Sequence, residues 1–315
     1  MKGISMSSND SEFAINDVLV DPKVTRRGMI KGLAGTATAA WAALGSAPVE
    51  SAEIKRIVNQ GRLKQSLAYW CFEQYWGIEK ACKIAQQLGC RSVELVDPQH
   101  WPMLKKYGLV CAIANSHWFD KGMNHPKYHE MCLSKMRKAI DACAEFGFPN
   151  VITFTGLSEG LAPEEGARNC VAGYKKIVGY AEKNKVNLCL EILNSRVPID
   201  MVGVPGYQGD HTDYCMDIIK RVGSPRMKLL FDIFHVQIMD GDLISRIRQY
   251  KDYIGHYHTA GNPGRHEPDD TQEINYRAVM KAIAETKYAG YIGHEFMPTR
   301  DPVEGLSEAV TLCDV

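Results

Sequence analysis

The chain has 315 residues, 45% hydrophobic and 23% charged, ordinary proportions for a globular protein able to bury a sizeable core. Its 37 basic and 37 acidic residues cancel, so no net field draws it toward nucleic acid or an anionic membrane. Ten cysteines are scattered singly with no paired spacing, which argues against a disulfide scaffold or thiolate metal cluster and fits buried thiols.

Residues 1 to about 24 are polar and aperiodic, as expected of a disordered leader. Thr25-Arg26-Arg27-Gly28-Met29-Ile30-Lys31 then precedes a Gly/Ala/Thr-rich run through Leu44, the pattern of a twin-arginine export signal. That run is shorter and less apolar than the ~20 residues of a spanning helix, so no stable membrane span is expected after processing. Export of this kind delivers a folded protein to the periplasm; without a working signal the chain stays cytoplasmic. The expected organisation is therefore a leader and signal over residues 1–60 and one folded domain over 61–315.

From residue 64 short apolar runs alternate with longer amphipathic ones, the signature of parallel strand–helix units. Strands are expected over 65–70, 92–96, 109–114, 150–156, 186–193, 227–232, 253–258 and 290–295. The intervening helices are expected over 78–88, 98–107, 127–146, 163–184, 212–222, 233–250 and 276–286, with a last one from 302. Eight repeats in ~250 residues predict an α/β fold, a single closed (β/α)8 TIM barrel. An open doubly wound sheet is the alternative, but no Gly-rich phosphate fingerprint follows the first strand. Two long segments, Asn194 to Asp210 and Thr259 to Asp270, would both lie over the barrel mouth, where loops shape access.

Four consecutive strands carry a polar residue at the same relative position: Glu191, Asp232, His258 and Glu295. A buried parallel strand is expected to be hydrophobic throughout, so carboxylates and an imidazole at its carboxyl end are costly unless something uses them. Any one acid alone is explained by helix capping, and Asp232 could cap the helix bearing His235. Four in register point instead to a divalent-metal set, whose oxygens and single nitrogen suit Mg, Mn or Co, with zinc admitted. Around it, Asn194, His235 and Arg265 could bind the hydroxyl, carbonyl or carboxylate of a small sugar or keto acid. For Arg265 the competing role is a loop-ordering pair with Glu267 or Asp269. His117 is a further candidate substrate contact, Glu94 a weaker candidate, and His294 is expected to be structural because it points away from Glu295.

The stretches Glu191-Ile192-Leu193-Asn194, Phe231 to Leu243, Pro263 to Pro268 with Glu273 to Tyr276, and Gly290 to Phe296 resemble the hydroxypyruvate isomerases of the xylose-isomerase-like barrel family. The resemblance implies a metal held by Glu191, Asp232, His258 and Glu295, and an acid/base pair made of Glu191 and Glu295. It also implies His235 and Arg265 at the substrate and aldose–ketose isomerisation, an intramolecular oxidoreduction. His258 stands where those isomerases often carry glutamine, as it does in ketose 3-epimerases, which makes epimerisation the alternative. A DNA-repair endonuclease of the same barrel type and a non-catalytic sugar-binding barrel are the competing classes, the first opposed by the neutral charge. A homo-oligomer is left open.

Overall fold

The computed structural model describes residues 56–315, so the twin-arginine segment and nearly all of the expected leader lie outside the described residues. Seven strands form one parallel sheet: β1 (Lys64–Ala68), β2 (Ser92–Glu94), β3 (Asn150–Thr153), β4 (Asn187–Glu191), β5 (Met227–Asp232), β6 (Ile254–Thr259) and β7 (Tyr291–His294). Their order is β2-β1-β7-β6-β5-β4-β3. Between the edge strands β2 and β3 lies the segment 109–114, expected as the third strand of eight. It closes the ring through isolated parallel bridges, Val110 to Ser92 and Ala114 to Val151. The reason it is not a regular strand is local. Ser92 Oγ accepts the Ala112 N–H at 2.9 Å, and Asn150 Nδ2 donates to the Ala112 carbonyl at 2.9 Å, so side chains replace ladder bonds there.

The helices form the outer layer. They are α1 (Ile78–Leu88), α2 (Trp101–Lys106), α3 (His129–Phe146), α4 (Pro163–Lys175), α5 (Val178–Asn184), α6 (Thr212–Val222), α7 (Ile233–Met239), α8 (Leu243–Tyr250), α9 (Tyr276–Glu285) and α10 (Pro302–Cys313). Two helices expected as continuous are divided. The break between α7 and α8 has a cause: Gly241 and Asp242 both adopt positive φ, and Asp240 turns away to accept the Thr212 N–H at 2.8 Å. No helix among the described residues is long and apolar enough to cross a membrane. All ten cysteines are buried free thiols, as the scattered spacing predicted.

Residues 56–60, assigned to the leader from sequence, pack on the barrel. The Ile57 and Val58 N–H groups both donate to the Leu88 carbonyl. Asp314 takes the N–H groups of Asn59, Gln60 and Gly61 at 2.6–2.8 Å, tying this end of the chain to the last residues.

At the opposite end, the segment from Ser116 to Asn124 folds against the residues after β3. A Cβ on Gly122 would lie 2.2 Å from the Thr155 carbonyl oxygen, so the two backbones meet closely. Gly122→Ala is expected to cost about 1–3 kcal/mol through overpacking. Urea unfolding measures it, and an unchanged midpoint would refute the close approach.

Candidate active site

Register fixes the site before any side chain is considered. Asp232 of β5 pairs with His258 of β6, and His258 pairs with Gly293 of β7. Glu191 ends β4, and Glu295 follows β7 with its N–H donated to the Thr259 carbonyl at 3.0 Å. Glu191, Asp232, His258 and Glu295 are therefore carried to one end of the barrel interior, and all four are buried. Each offers a ligand atom within 4.8 Å of the others.

His258 is at the centre. Its Nδ1 lies 2.9 Å from Glu295 Oε2, 3.1 Å from Glu191 Oε1 and 3.9 Å from Asp232 Oδ2. Its Nε2 lies 3.1 Å from Glu94 Oε1. Burial acts to lower the His258 pKa, but the charge of Glu295 and hydrogen bonds to Glu191, Glu295 and Glu94 raise it well above the ordinary value. The carboxylates are driven apart. Burial, followed by the nearby Glu295 and Asp232 charges, raises Glu191 to about 7 against its bond with His258. Asp232 is raised to about 6 by burial and Glu295, with Arg265 opposing. Glu295 resists the same burial and is held well below the carboxylate range by His258 and Arg265.

Asp232 uses its two oxygens differently. Its Oδ1 accepts the His235 N–H at 3.1 Å and caps α7, while Oδ2 faces the cluster. Three carboxylates, one imidazole and a buried interior form an oxygen-rich donor set of the kind that suits a hard or borderline divalent cation.

A cavity of about 350 Å³ opens above these groups and is lined by Glu191, Glu295, His235, Arg265, Asn115 and Asp200. The rest of its wall is apolar, including Trp70, Trp118, Phe119, Phe154, Ile199 and Val204. Trp118 and Ile199 are more than half exposed, which puts them at the mouth.

His235 is presented as a donor. Its Nδ1 accepts from the Asn194 backbone N–H at 3.0 Å and from Asn194 Nδ2 at 2.7 Å, so the ring proton sits on Nε2. That Nε2 is buried and has no hydrogen-bond partner. Burial, reinforced by Arg265, pushes the imidazole pKa far down and keeps it neutral.

Arg265 adopts positive φ and reaches inward from the loop after β6. It donates from Nη1 to the Met201 carbonyl and from Nη2 to Glu295 Oε2, each at 2.6 Å, with its guanidinium 5.2 Å from the Trp70 ring centre. The competing partners have other duties: Glu267 holds Thr299, and Asp269 holds Thr271 and Arg300.

Two expected substrate contacts do not reach the cavity. Asn194 is buried within its loop, donating to the Val202 carbonyl at 2.8 Å and accepting the Val197 N–H at 3.0 Å. His117 is held by Thr153 Oγ1 at 2.8 Å and by the Trp118 and Lys121 carbonyls. Neither lines the wall, because each ring or amide is saturated by its own chain. His294 is structural as expected, bonded to Gln65 and Thr259.

Sequence reasoning missed Trp70, whose indole Nε1 donates to Glu295 Oε1 at 2.8 Å. The signal was available, since Trp70 follows the first strand's apolar run as the acids follow theirs. It also underrated Glu94, which accepts from His256 Nε2 at 3.0 Å as well as from His258.

These shifts set a pH dependence for the metal-free protein. Glu191 and Asp232 have folded pKa values above their ordinary ones, so their contribution is complete below about pH 4 and lost as pH rises through about 6 to 7. Each such proton gives a slope of about 1.4 kcal/mol per pH unit. The expected result is that Glu191→Gln flattens the fall in Tm of chelator-treated protein between pH ~5 and ~8. A variant that leaves the slope as steep contradicts the assignment.

The family model described as xylose isomerase-like TIM barrel matches residues 82–313. A 2-oxo-tetronate isomerase of Pectobacterium atrosepticum is 32% identical over 242 residues, 72% of this chain and 89% of the relative. The hydroxypyruvate isomerase of Escherichia coli is 38% identical over 109 residues, 35% of this chain and 42% of the relative. A crystal structure of D-psicose 3-epimerase from Clostridium cellulolyticum superposes with a TM-score of 0.65 at 16% identity, covering 80% of this chain and 97% of the other, which bears on the fold. With these matches along the barrel, the chain belongs to the xylose isomerase-like TIM barrel family, as an enzyme of the isomerase kind.

Proposed function

We propose that the protein is a divalent-metal-dependent isomerase of hydroxypyruvate or a related small aldose or ketose, working through an enediolate. The observation that carries this reading is the convergence of Glu191, Asp232, His258 and Glu295 within 4.8 Å beneath a cavity that also presents His235 and Arg265. The names of the relatives, hydroxypyruvate isomerase and 2-oxo-tetronate isomerase, support the reaction class.

The four converging groups would hold the cation. Bound there, it supplies Lewis acidity to adjacent carbonyl and hydroxyl oxygens and so acidifies the C–H between them. The rest is done by this chain's residues. One glutamate of the pair Glu191 and Glu295 takes the proton from carbon, and the other delivers a proton to the neighbouring carbon. Glu295 is aimed by two donors, the Trp70 indole and the Arg265 guanidinium, which hold both of its oxygens. His235 offers its Nε2–H to a substrate oxygen, and Asn194 fixes that tautomer from behind. Arg265 is the cation against which a carboxylate or polarised oxygen could rest, stacked beside Trp70. The apolar wall limits water at the reacting carbons, which leaves proton removal and delivery to the two glutamates.

Ketose 3-epimerisation is the second reading. It uses the same two glutamates but returns the proton to the opposite face of the same carbon. His258 in the ligand set and the roomy, mostly apolar cavity favour it, as does the fold shared with D-psicose 3-epimerase. We further propose export through the twin-arginine pair Arg26-Arg27 ahead of the barrel.

Metal analysis of the purified protein, then NMR of hydroxypyruvate and a ketose panel in D₂O, tests the reading. Deuterium should enter the carbon next to the carbonyl; a product labelled at the neighbouring carbon marks isomerisation, and inverted substrate marks epimerisation. Glu295→Gln and Glu191→Gln should each lower turnover by ~10²–10⁴-fold with the fold intact by circular dichroism. Full activity in either variant removes the acid/base assignment. Removing metal with a chelator should abolish exchange and added Mn²⁺, Mg²⁺ or Co²⁺ should restore it; exchange surviving exhaustive chelation removes the metal.

A further inference from the structure

We propose that Glu94 is a positioning residue that fixes the tautomer and orientation of His258, so that Nδ1 alone is left to face the metal; this rests on the metal reading above. Glu94 comes from β2 and is completely buried inside the barrel. Its Oε1 takes the Nε2–H of His258 at 3.1 Å. The other ring nitrogen, Nδ1, is the atom lying 2.9 Å from Glu295 and 3.1 Å from Glu191. An imidazole whose Nε2–H is committed to a carboxylate can ligate only through Nδ1, and the partner carboxylate raises its basicity.

Three observations show that this contact is built rather than incidental. First, His256 and His258 share one face of β6 because side chains alternate along a strand, and His256 Nε2 braces the same Glu94 oxygen at 3.0 Å. Second, the room for the carboxylate comes from Gly293, the residue that register sets beside His258. A Cβ on Gly293 would lie 1.9 Å from Glu94 Oε1 and 3.0 Å from His258 Cδ2, so any larger residue displaces the acid or turns the ring. Third, the arrangement is incomplete as a structural network: Glu94 Oε2 and His256 Nδ1 are buried without partners. A buried acid with an unpaired oxygen costs stability that an apolar side chain of similar volume would not. Stability alone therefore does not account for an acid here, whereas orienting His258 does.

The test uses the full chain stripped by chelation, titrated with Mn²⁺ while the free ion is followed by electron paramagnetic resonance. Glu94→Gln keeps an acceptor oxygen and the side-chain shape, and Gly293→Ala reaches the same contact without touching an ionisable group. Both are expected to weaken Mn²⁺ binding by ~10–100-fold. A purely structural Glu94 would shift the Tm of the metal-free protein and leave Mn²⁺ affinity in place, so a folded Glu94→Gln that binds within about twofold of the parent overturns the proposal. A readout independent of any variant is the ¹⁵N-histidine NMR spectrum of the Mg²⁺-loaded parent. His258 is expected to carry its proton on Nε2, and a proton on Nδ1 overturns the proposal. A parent chain that takes up neither Mn²⁺ nor Mg²⁺ removes the metal reading itself, together with this role, and is told apart by failing before any substitution is made.

Discussion

One imidazole in the barrel interior, that of His258, is surrounded by carboxylates: Glu94 on its Nε2 side, and Glu191, Glu295 and, farther off, Asp232 on its Nδ1 side. Four buried acids in a low-dielectric interior repel one another strongly, and His256, His258 and Arg265 stand close enough to answer them. The divergent pKa values express that imbalance. Glu295, with a guanidinium and an imidazole against it, stays ionised; Glu191 and Asp232 are pushed upward. A divalent cation at the shared focus, as proposed above, would relieve the imbalance, so the donor set and its electrostatics support the same proposed occupant.

The loops over the mouth are organised by groups that do no chemistry. Asn194 ties Val197, Val202 and Val204 into a compact turn while holding His235 Nδ1, so one amide sets both the shape of the wall and the direction of the donor facing the cavity. A Cβ on Gly203 would lie 2.2 Å from the Val197 carbonyl oxygen, and that close approach brings Met201 to Arg265. The result is a polar floor of acids, imidazole and guanidinium under a wall of Trp118, Phe119, Ile199 and Val204. Such a division suits a small polyoxygenated substrate whose reacting end lies on the floor.

Much of the architecture was legible because buried parallel strands are continuous apolar runs and helices carry a 3.6-residue period. Seven of eight expected strands are regular. The segment 109–114 has the same apolar composition, yet at Ala112 the side chains of Ser92 and Asn150 take the place of ladder bonds and leave only isolated bridges to the neighbouring strands, and composition carries no trace of that. The cluster of Glu191, Asp232, His258 and Glu295 was legible for a related reason, since an acid or imidazole ending an apolar strand is conspicuous. His117 and Asn194 were read as substrate contacts from residue type and position, and both turned inward to satisfy nearby backbone instead.

What the sequence determined by itself is the alternation that forces a barrel and the four polar strand ends, because both are set by periodicity along the chain. What only the tertiary structure decided is which nitrogen of His235 is free and which nitrogen of His258 faces the cluster, which oxygen of Asp232 caps, and that Trp70 and Glu94 stand behind Glu295 and His258. Apart from the local cap by Asp232, those choices depend on hydrogen bonds between residues 41 to 225 positions apart, distances over which a chain's local pattern carries no information.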